Sequence, residues 1–167
     1  HALEYEILAS AIEPSSIMVL GGTLIDGVNA VPLAKDPGGR RAGNVEADML
    51  LLVRNRGWRQ LLVEAKTTSN NAWYGAVEHL RQLRLFSDSD LRTSLFHHRR
   101  ADSELPEDIP FGGVVLAPAA FYEGAGQQGA AVAPARRLLD RIQSEAGLVV
   151  ELATWGGQRI GVLPGGD

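Results

Sequence analysis

The sequence of 167 residues contains no cysteine. This absence excludes a disulfide framework and every thiolate metal site, and it fits the reducing conditions of the cytoplasm. No apolar run approaches the roughly 18 residues of a membrane span, and no secretory signal is visible. We therefore expect a cytoplasmic protein that does not associate with a membrane.

The sequence also lacks an excess of positive charge, internal repeats and coiled-coil heptads. Its formal net charge is −4, whereas a dedicated nucleic-acid-binding protein is usually basic. The basic residues nevertheless occur in short clusters, among them Arg40-Arg41 and Arg81 with Arg84. Two interpretations of these clusters stay open: they line one groove for a polyanion, or they are scattered, solubilising arginines.

Length and composition are those of one globular domain. The chain is 45% hydrophobic and 22% charged, and both fractions are ordinary for a soluble protein. We expect residues 1–167 to form a single domain. The chain begins at His1 rather than at a methionine, so we also expect it to be either trimmed or a fragment of something longer.

The hydrophobic pattern predicts alternating helices and strands. The predicted helices cover residues 3–13, 72–86 and 133–146, and the second of them is expected to bury Trp73, Ala76, Val77, Leu80 and Leu83. Strands are predicted over 17–20, 23–25, 48–53, 60–66, 113–116, 148–153 and 159–163. Loops are predicted over 28–43 and 124–129, and a charged stretch after residue 86 stays ambiguous. This order predicts an α/β fold with one mixed sheet and flanking helices.

The two strands around Gly57 place acidic residues next to each other. If residues 54–59 turn the chain and the strands pair about residue 56, Asp48 lies opposite Glu64. Opposite residues of an antiparallel pair point to the same face, with Cβ atoms about 4.5–5.5 Å apart. Two adjacent carboxylates repel each other in an apolar sheet, and a divalent cation resolves the conflict because hard cations prefer oxygen ligands.

Lys66 lies two residues after Glu64 and therefore projects from the same face of the strand. Its ammonium is suited to hold an attacking water and to offset charge on a phosphate. The carbonyl of Ala65 is a further oxygen ligand for a metal. A Glu-x-Lys triplet is also common as an ordinary surface ion pair, so the mirrored Asp48 carries most of the weight.

The segments Glu46-Ala47-Asp48 and Leu62-Val63-Glu64-Ala65-Lys66, each on an apolar strand, resemble the paired motifs of the PD-(D/E)xK nuclease superfamily. That superfamily includes restriction endonucleases, Holliday-junction resolvases and RecB-type exonuclease domains. The resemblance covers roughly residues 1–118. Ala47 stands where the name-giving proline of the family often lies.

This resemblance implies a restriction-endonuclease-like fold, in which a mixed central sheet has helices on both faces and residues 133–163 complete it. It implies Mg²⁺ or Mn²⁺ as cofactor, held by Asp48, Glu64 and Ala65. Glu4 is followed by apolar residues at the family's spacing for the glutamate of the first helix, so it is expected to assist the metal. Gln82 with Phe86 is similar to the Gln-x-x-x-Tyr motif of RecB-type nucleases.

The sequence therefore predicts a metal-dependent nuclease that acts on nucleic acid, foremost DNA. Asp48, Glu64, Lys66, Glu4 and Gln82 are its predicted catalytic residues, and Arg40, Arg41 and Arg81 are predicted to contact the substrate. Homodimerisation and membership of a larger multidomain protein are both compatible with the family. Two alternatives stay open: an inactive nuclease fold that binds nucleic acid or protein, and an unrelated α/β protein in which the charged residues form a structural ion pair.

Overall fold

The structure is a computed structural model that describes residues 7, 9, 17–34, 45–67, 71–100, 105–123, 127–156 and 158–165. The described part contains seven strands: β1 Met18–Val19, β2 Gly22–Ala34, β3 Val45–Arg54, β4 Trp58–Ala65, β5 Phe111–Ala117, β6 Val150–Gly156 and β7 Arg159–Val162. Its bounded helices are α1 Ala72–Ser87, α2 Asp90–Arg99, α3 Ala119–Glu123, α4 Gln127–Ala130 and α5 Val132–Ala146. No helix among the described residues is both long and apolar enough to cross a membrane.

All seven strands belong to one mixed sheet, which confirms the predicted α/β class. The strands pair in chain order from β1 to β7, and β1 also pairs with β7, so the order closes on itself. The β3–β4 pair is antiparallel, whereas β4–β5 and β5–β6 are parallel. The parallel pairs need crossover connections, and α1 with α2 and then α3 to α5 provide them.

The register between β3 and β4 is the one that the sequence predicts. Arg54 pairs with Trp58 and Met49 pairs with Val63, so the chain turns about residue 56. Gly57 lies in the bend between the two strands. Asp48 and Glu64 each lie one residue beyond the last pair, Met49 with Val63.

Apolar side chains fill both faces of the central strands, which explains their continuous apolar sequence. On one face, Leu50, Leu52 and Leu62 pack in a cluster that includes residues of α1 and α5. On the other face, Met49 and Leu51 pack with further apolar side chains of the sheet. Ile7, which is helical, belongs to this second cluster. Of the predicted first helix, only residues 7 and 9 lie within the described part of the chain.

The predicted loop over residues 28–43 is wrong in its first part, because β2 continues to Ala34. Pro32 suggested a loop, since proline lacks the N–H that a central strand needs. Beyond Thr23, however, β2 pairs only with β3 within the described residues, so it is an edge strand there. Proline is tolerated on an edge strand. Residues 35–43 of the predicted loop lie outside the described residues.

Two further segments differ from the prediction. The ambiguous charged stretch contains α2, whose N-cap Ser89 accepts a hydrogen bond from the Leu91 N–H. Asp90 in its first turn and the basic residues of its last turn, His97, His98 and Arg99, complement the helix dipole. The predicted loop over 124–129 is also wrong in part, because α4 begins at Gln127.

The predicted bounds of α1 are nearly right, but its predicted buried face is partly wrong. Trp73 and Val77 are exposed to 39% and 45%, although their apolar character suggested burial. The helix instead buries two polar side chains, His79 and Gln82. Sequence hydrophobicity does not reveal this choice, because it depends on polar partners supplied by β4 and β5.

Candidate functional site

Asp48 on β3 contacts the neighbouring strand next to Glu64. Its Oδ2 atom accepts a hydrogen bond from the Ala65 backbone N–H at 2.6 Å. The Asp48 carboxylate therefore lies beside the C-terminal end of β4. This is the end of the β3–β4 pair that is remote from the bend at residues 55–57. Asp48 therefore lies close to the residue that follows Glu64, and the alternative of a structural ion pair stays open, because Lys66 and Glu64 are paired at 2.6 Å.

Glu64 is a buried carboxylate that accepts hydrogen bonds at both oxygens. The Lys66 ammonium donates to Oε1 at 2.6 Å, and the Gln82 amide donates to Oε2 at 2.6 Å. Only 6% of the residue is exposed. Burial of a charge is costly unless it is paired and hydrogen-bonded, so these two donors are what make the buried Glu64 tolerable.

Lys66 lies between two carboxylates. Its ammonium donates to Glu64 and, on the open side, to Oε2 of Glu78 at 2.7 Å. Burial of the ammonium lowers the pKa of Lys66, but its contacts with Glu64 and Glu78 outweigh this effect and raise the pKa above 10.5. Lys66 is therefore a cation at neutral pH.

Gln82 on α1 joins the helix to both strands of the hairpin. Besides Glu64, its amide nitrogen donates to the backbone carbonyl of Glu46 at 3.0 Å. Its amide oxygen lies 2.9 Å from Nδ1 of His79. The structure thus brings the predicted residues Gln82, Glu64 and Lys66 into one hydrogen-bonded group.

Two members of this group, Glu78 and His79, have no part in the sequence prediction. They precede Gln82 by four and three residues, so helical geometry puts all three on adjoining positions of one face. With Gln82 as a predicted site residue, this helical spacing is the sequence signal that could have identified Glu78 and His79. The apolar residues Trp73 and Val77 suggested a different buried face and outweighed that signal.

His79 is fully buried and bridges α1 to β5. The Val114 backbone N–H donates to Nε2 of His79 at 3.1 Å. A backbone N–H can only donate, so Nε2 carries no proton and Nδ1 carries it. Burial lowers the pKa of His79 below 6.5, since the imidazolium would lose its hydration. The ring is therefore neutral at neutral pH.

Of the three predicted substrate-contacting residues, only Arg81 lies within the described part of the chain. Arg81 is exposed on α1, and successive helical side chains diverge by about 100°, so it does not share the direction of Gln82. Arg40, Arg41 and Glu4 lie outside the described residues. Of the other basic residues, Arg99 forms an ion pair with Asp26 at 2.9 Å.

The donors at the site suit a hard cation, although no group of three or more histidine, aspartate or glutamate side chains among the described residues is arranged to hold a metal. Asp48 and Glu64 supply carboxylate oxygens, and Ala65 supplies a carbonyl between Glu64 and Lys66. A carboxylate offers about four acceptor positions, so the two donors on Glu64 leave it further capacity. These oxygen ligands fit Mg²⁺ or Mn²⁺ rather than a soft metal.

Comparison of the chain with protein families, curated proteins and solved structures gave no match.

Proposed function

We propose that the protein is a metal-dependent nuclease that hydrolyses phosphodiester bonds. The observation that carries this proposal is the convergence of Asp48, Glu64 and Lys66 at one end of the β3–β4 pair. Asp48 contacts the residue after Glu64, and Lys66 contacts Glu64 itself. Two acidic groups and one ammonium in this arrangement suit the hydrolysis of an anionic ester better than they suit a surface ion pair.

In this proposal Asp48 and Glu64 hold the metal with their carboxylates, and the Ala65 carbonyl assists. Glu4 is proposed to complete the ligand set. When bound, a divalent cation lowers the pKa of a water ligand and neutralises charge that develops on the phosphate. The donor set fits Mg²⁺ and Mn²⁺.

The other residues are proposed to orient these groups and to meet the substrate. The Lys66 ammonium is proposed to donate a hydrogen bond to the oxygen of an attacking water or of the phosphate. Glu78 holds the ammonium from the open side, and the Gln82 amide holds Glu64. Arg40, Arg41 and Arg81 are proposed to contact the phosphate backbone of nucleic acid. DNA is the first nucleic acid to test.

The finer architecture belongs to the same proposal. A restriction-endonuclease-like arrangement has helices on both faces of the central sheet. The cluster around α1 and the cluster that includes the helical Ile7 lie on opposite sides of β3, which supports it. We propose that residues 1–167 form one nuclease-like domain.

A cleavage assay tests the proposal directly. Plasmid, linear and single-stranded DNA, with RNA in parallel, are incubated with Mg²⁺ or Mn²⁺ and with a chelator. Asp48→Asn and Lys66→Met are expected to lower the cleavage rate at least about 100-fold, because each removes a group that acts on the developing charge. The exposed Asp140 on α5 supplies a matched control, Asp140→Asn, which should leave the rate unchanged.

Cleavage at the wild-type rate by Asp48→Asn or Lys66→Met would refute the mechanism. Asp48→Asn should keep its stability, because asparagine retains an oxygen that accepts from the Ala65 N–H. Lys66→Met retains the aliphatic stem of the lysine but leaves Glu64 one donor short, so we expect a folded protein with a free energy of unfolding about 1–3 kcal/mol lower. Circular dichroism and thermal unfolding of each variant verify this point.

A second candidate is a catalytically inactive nuclease fold that binds nucleic acid or protein. The engagement of the Lys66 ammonium by two carboxylates and the net charge of −4 favour it. It predicts nucleic-acid binding in the presence of chelator and no cleavage with either metal. The same assay therefore separates the two candidates.

A further inference from the structure

His79 lies where the helix α1, the strand β5 and the site meet. It is fully buried, yet it is polar, and its two ring nitrogens have different partners. Nε2 accepts from the Val114 backbone, and Nδ1 lies against the Gln82 amide oxygen at 2.9 Å. Gln82, which lies against Nδ1 of His79, also donates to Glu64, so it links His79 to a carboxylate proposed to hold the metal.

The Val114 N–H determines which nitrogen of His79 carries the proton. Because Nε2 must accept from that N–H, Nδ1 is the donor, and its partner has to be an acceptor. The Gln82 amide therefore directs its oxygen to His79 and its nitrogen to Glu64. The reversed amide would face the Glu64 carboxylate with an oxygen and would leave the Nδ1–H without an acceptor.

The sequence of β5 makes room for this arrangement. A Cβ atom at Gly113 would lie 2.6 Å from Nε2 of His79 and 2.5 Å from Cδ1 of Leu83. Real Cβ atoms do not approach other atoms this closely. Gly113 thus permits the imidazole to reach the strand backbone, and the rigid β5 backbone becomes the reference that orients the ring.

We infer that His79 is a positioning residue, which fixes the amide of Gln82 so that its N–H groups hold the Glu64 carboxylate in place. This role rests on the proposed function only in so far as Glu64 serves there as a metal ligand. The chain of contacts from Val114 through His79 and Gln82 to Glu64 stands on its own geometry.

Two substitutions of His79 each retain one half of its hydrogen bonding. In His79→Asn the side-chain nitrogen occupies the position of Nδ1 and still donates to Gln82, but the contact with the Val114 N–H is lost and that N–H keeps only its partner in the β4–β5 ladder. In His79→Gln the terminal oxygen occupies the position of Nε2 and accepts from Val114, but the donor to Gln82 is lost. Comparison of the two variants therefore distinguishes a role of His79 in stabilising the fold from a role in orienting the Gln82 amide.

The first readout is the side-chain amide of Gln82 in nuclear magnetic resonance spectra, which needs no metal and no substrate. We expect two well-separated N–H signals, protected from exchange, in the wild type and in His79→Asn. In His79→Gln the two signals should lose protection. The thermal midpoint should move in the opposite order: that of His79→Asn should fall by roughly 1–6 °C, because the hydrogen bond between the ring and the Val114 N–H is lost, and that of His79→Gln should fall less.

The second readout is Mn²⁺-dependent cleavage of DNA. His79→Gln should lose about 10- to 100-fold in rate, as expected when the partner of a metal ligand is released, whereas His79→Asn should retain most of the rate. A purely structural histidine gives the reverse, with the less stable His79→Asn also the less active. Unchanged Gln82 signals in His79→Gln would overturn the inference. A wild type that neither binds Mn²⁺ nor cleaves would overturn the proposed function, and the amide signals would still decide the role of His79.

Discussion

Three ionisable side chains are at least partly buried where α1 meets the sheet: Glu64, Lys66 and His79. Each would be costly alone, but Glu64 and Lys66 neutralise each other, and His79 stays neutral with both ring nitrogens hydrogen-bonded. The group is thus stable only as a unit. Removal of one member leaves a buried donor or acceptor without its partner, and such a loss costs about 1–3 kcal/mol.

The protonation of His79 gives a prediction about pH. Burial holds the pKa of His79 below its ordinary value of 6.5, so the unfolded chain binds the proton at a higher pH than the folded chain does. The contribution of His79 is therefore fully present above pH 6.5 and is lost as the pH falls below that value. Urea unfolding of the wild type should show a steeper loss of unfolding free energy between about pH 7 and pH 5 than that of His79→Asn.

The wild type and His79→Asn contain the same carboxylates. The difference between their slopes of unfolding free energy against pH therefore measures the contribution of His79. Equal slopes for the two proteins would contradict a neutral, buried His79. The charged groups closest to it in this network are Glu64 and Lys66, which oppose each other in their effect on its pKa.

The residues Asp48, Glu64 and Lys66 could be chosen from the sequence because strand pairing has a period of two and a fixed register about residue 56. Spacing alone was enough to predict which of them lie together. Glu78 and His79 could not be chosen in this way, because a helix face is selected by what it packs against. For α1 the selecting partners were the Val114 N–H and the Glu64 carboxylate.

At the scale of elements, the contact between α1 and β5 determines where the site lies. The buried face of α1 begins with small residues, Ala72, Gly75 and Ala76, which allow the helix to approach the sheet closely. Farther along the helix, His79 and Leu83 reach the strand over Gly113. The close approach is what brings Gln82 within hydrogen-bond distance of Glu64.

The substitution Gly113→Ala tests this contact. The new methyl group would meet both His79 and Leu83, so α1 must shift or the side chains must leave their positions. We expect a loss of about 1–3 kcal/mol in the free energy of unfolding, as is typical of overpacking. Gly156→Ala in β6 is the matched control, because a Cβ there meets nothing within 4 Å, and it should change stability by no more than about 0.5 kcal/mol.

Denaturant unfolding of the two variants measures both effects. If Gly113→Ala is as stable as Gly156→Ala, the helix does not pack on β5 as closely as described. A further consequence concerns the site, since displacement of His79 would also release Gln82. The Gly113→Ala protein should then resemble His79→Gln in its Gln82 amide signals.

Most elements follow from the sequence because their signals are local. The apolar runs of β3 and β4, Gly57 between them and Gly147 at the end of α5 are examples, and Gly147 adopts the left-handed conformation expected after a helix. The length of β2 could not be predicted, since the tolerance for Pro32 depends on β2 being an edge strand. The helix α2 was missed because its signals are capping and charge rather than apolar periodicity.

At the scale of the whole molecule, the net charge of −4 is unfavourable for the binding of a polyanionic substrate. Several arginines are already engaged within the protein, among them Arg92 with Asp108 and Arg99 with Asp26. In the proposed nuclease, the metal would have to offset the repulsion between the substrate and the carboxylates. Metal binding is therefore the property on which the functional proposal depends most heavily.

Calorimetric titration with Mn²⁺ measures that property most directly. We predict that the wild type and Asp140→Asn bind the ion at one site with equal affinity. Asp48→Asn should bind it at least about tenfold more weakly, because one carboxylate ligand has become a neutral amide. Absence of binding to the wild type, or the same affinity in Asp48→Asn, would contradict a metal centre at Asp48 and Glu64.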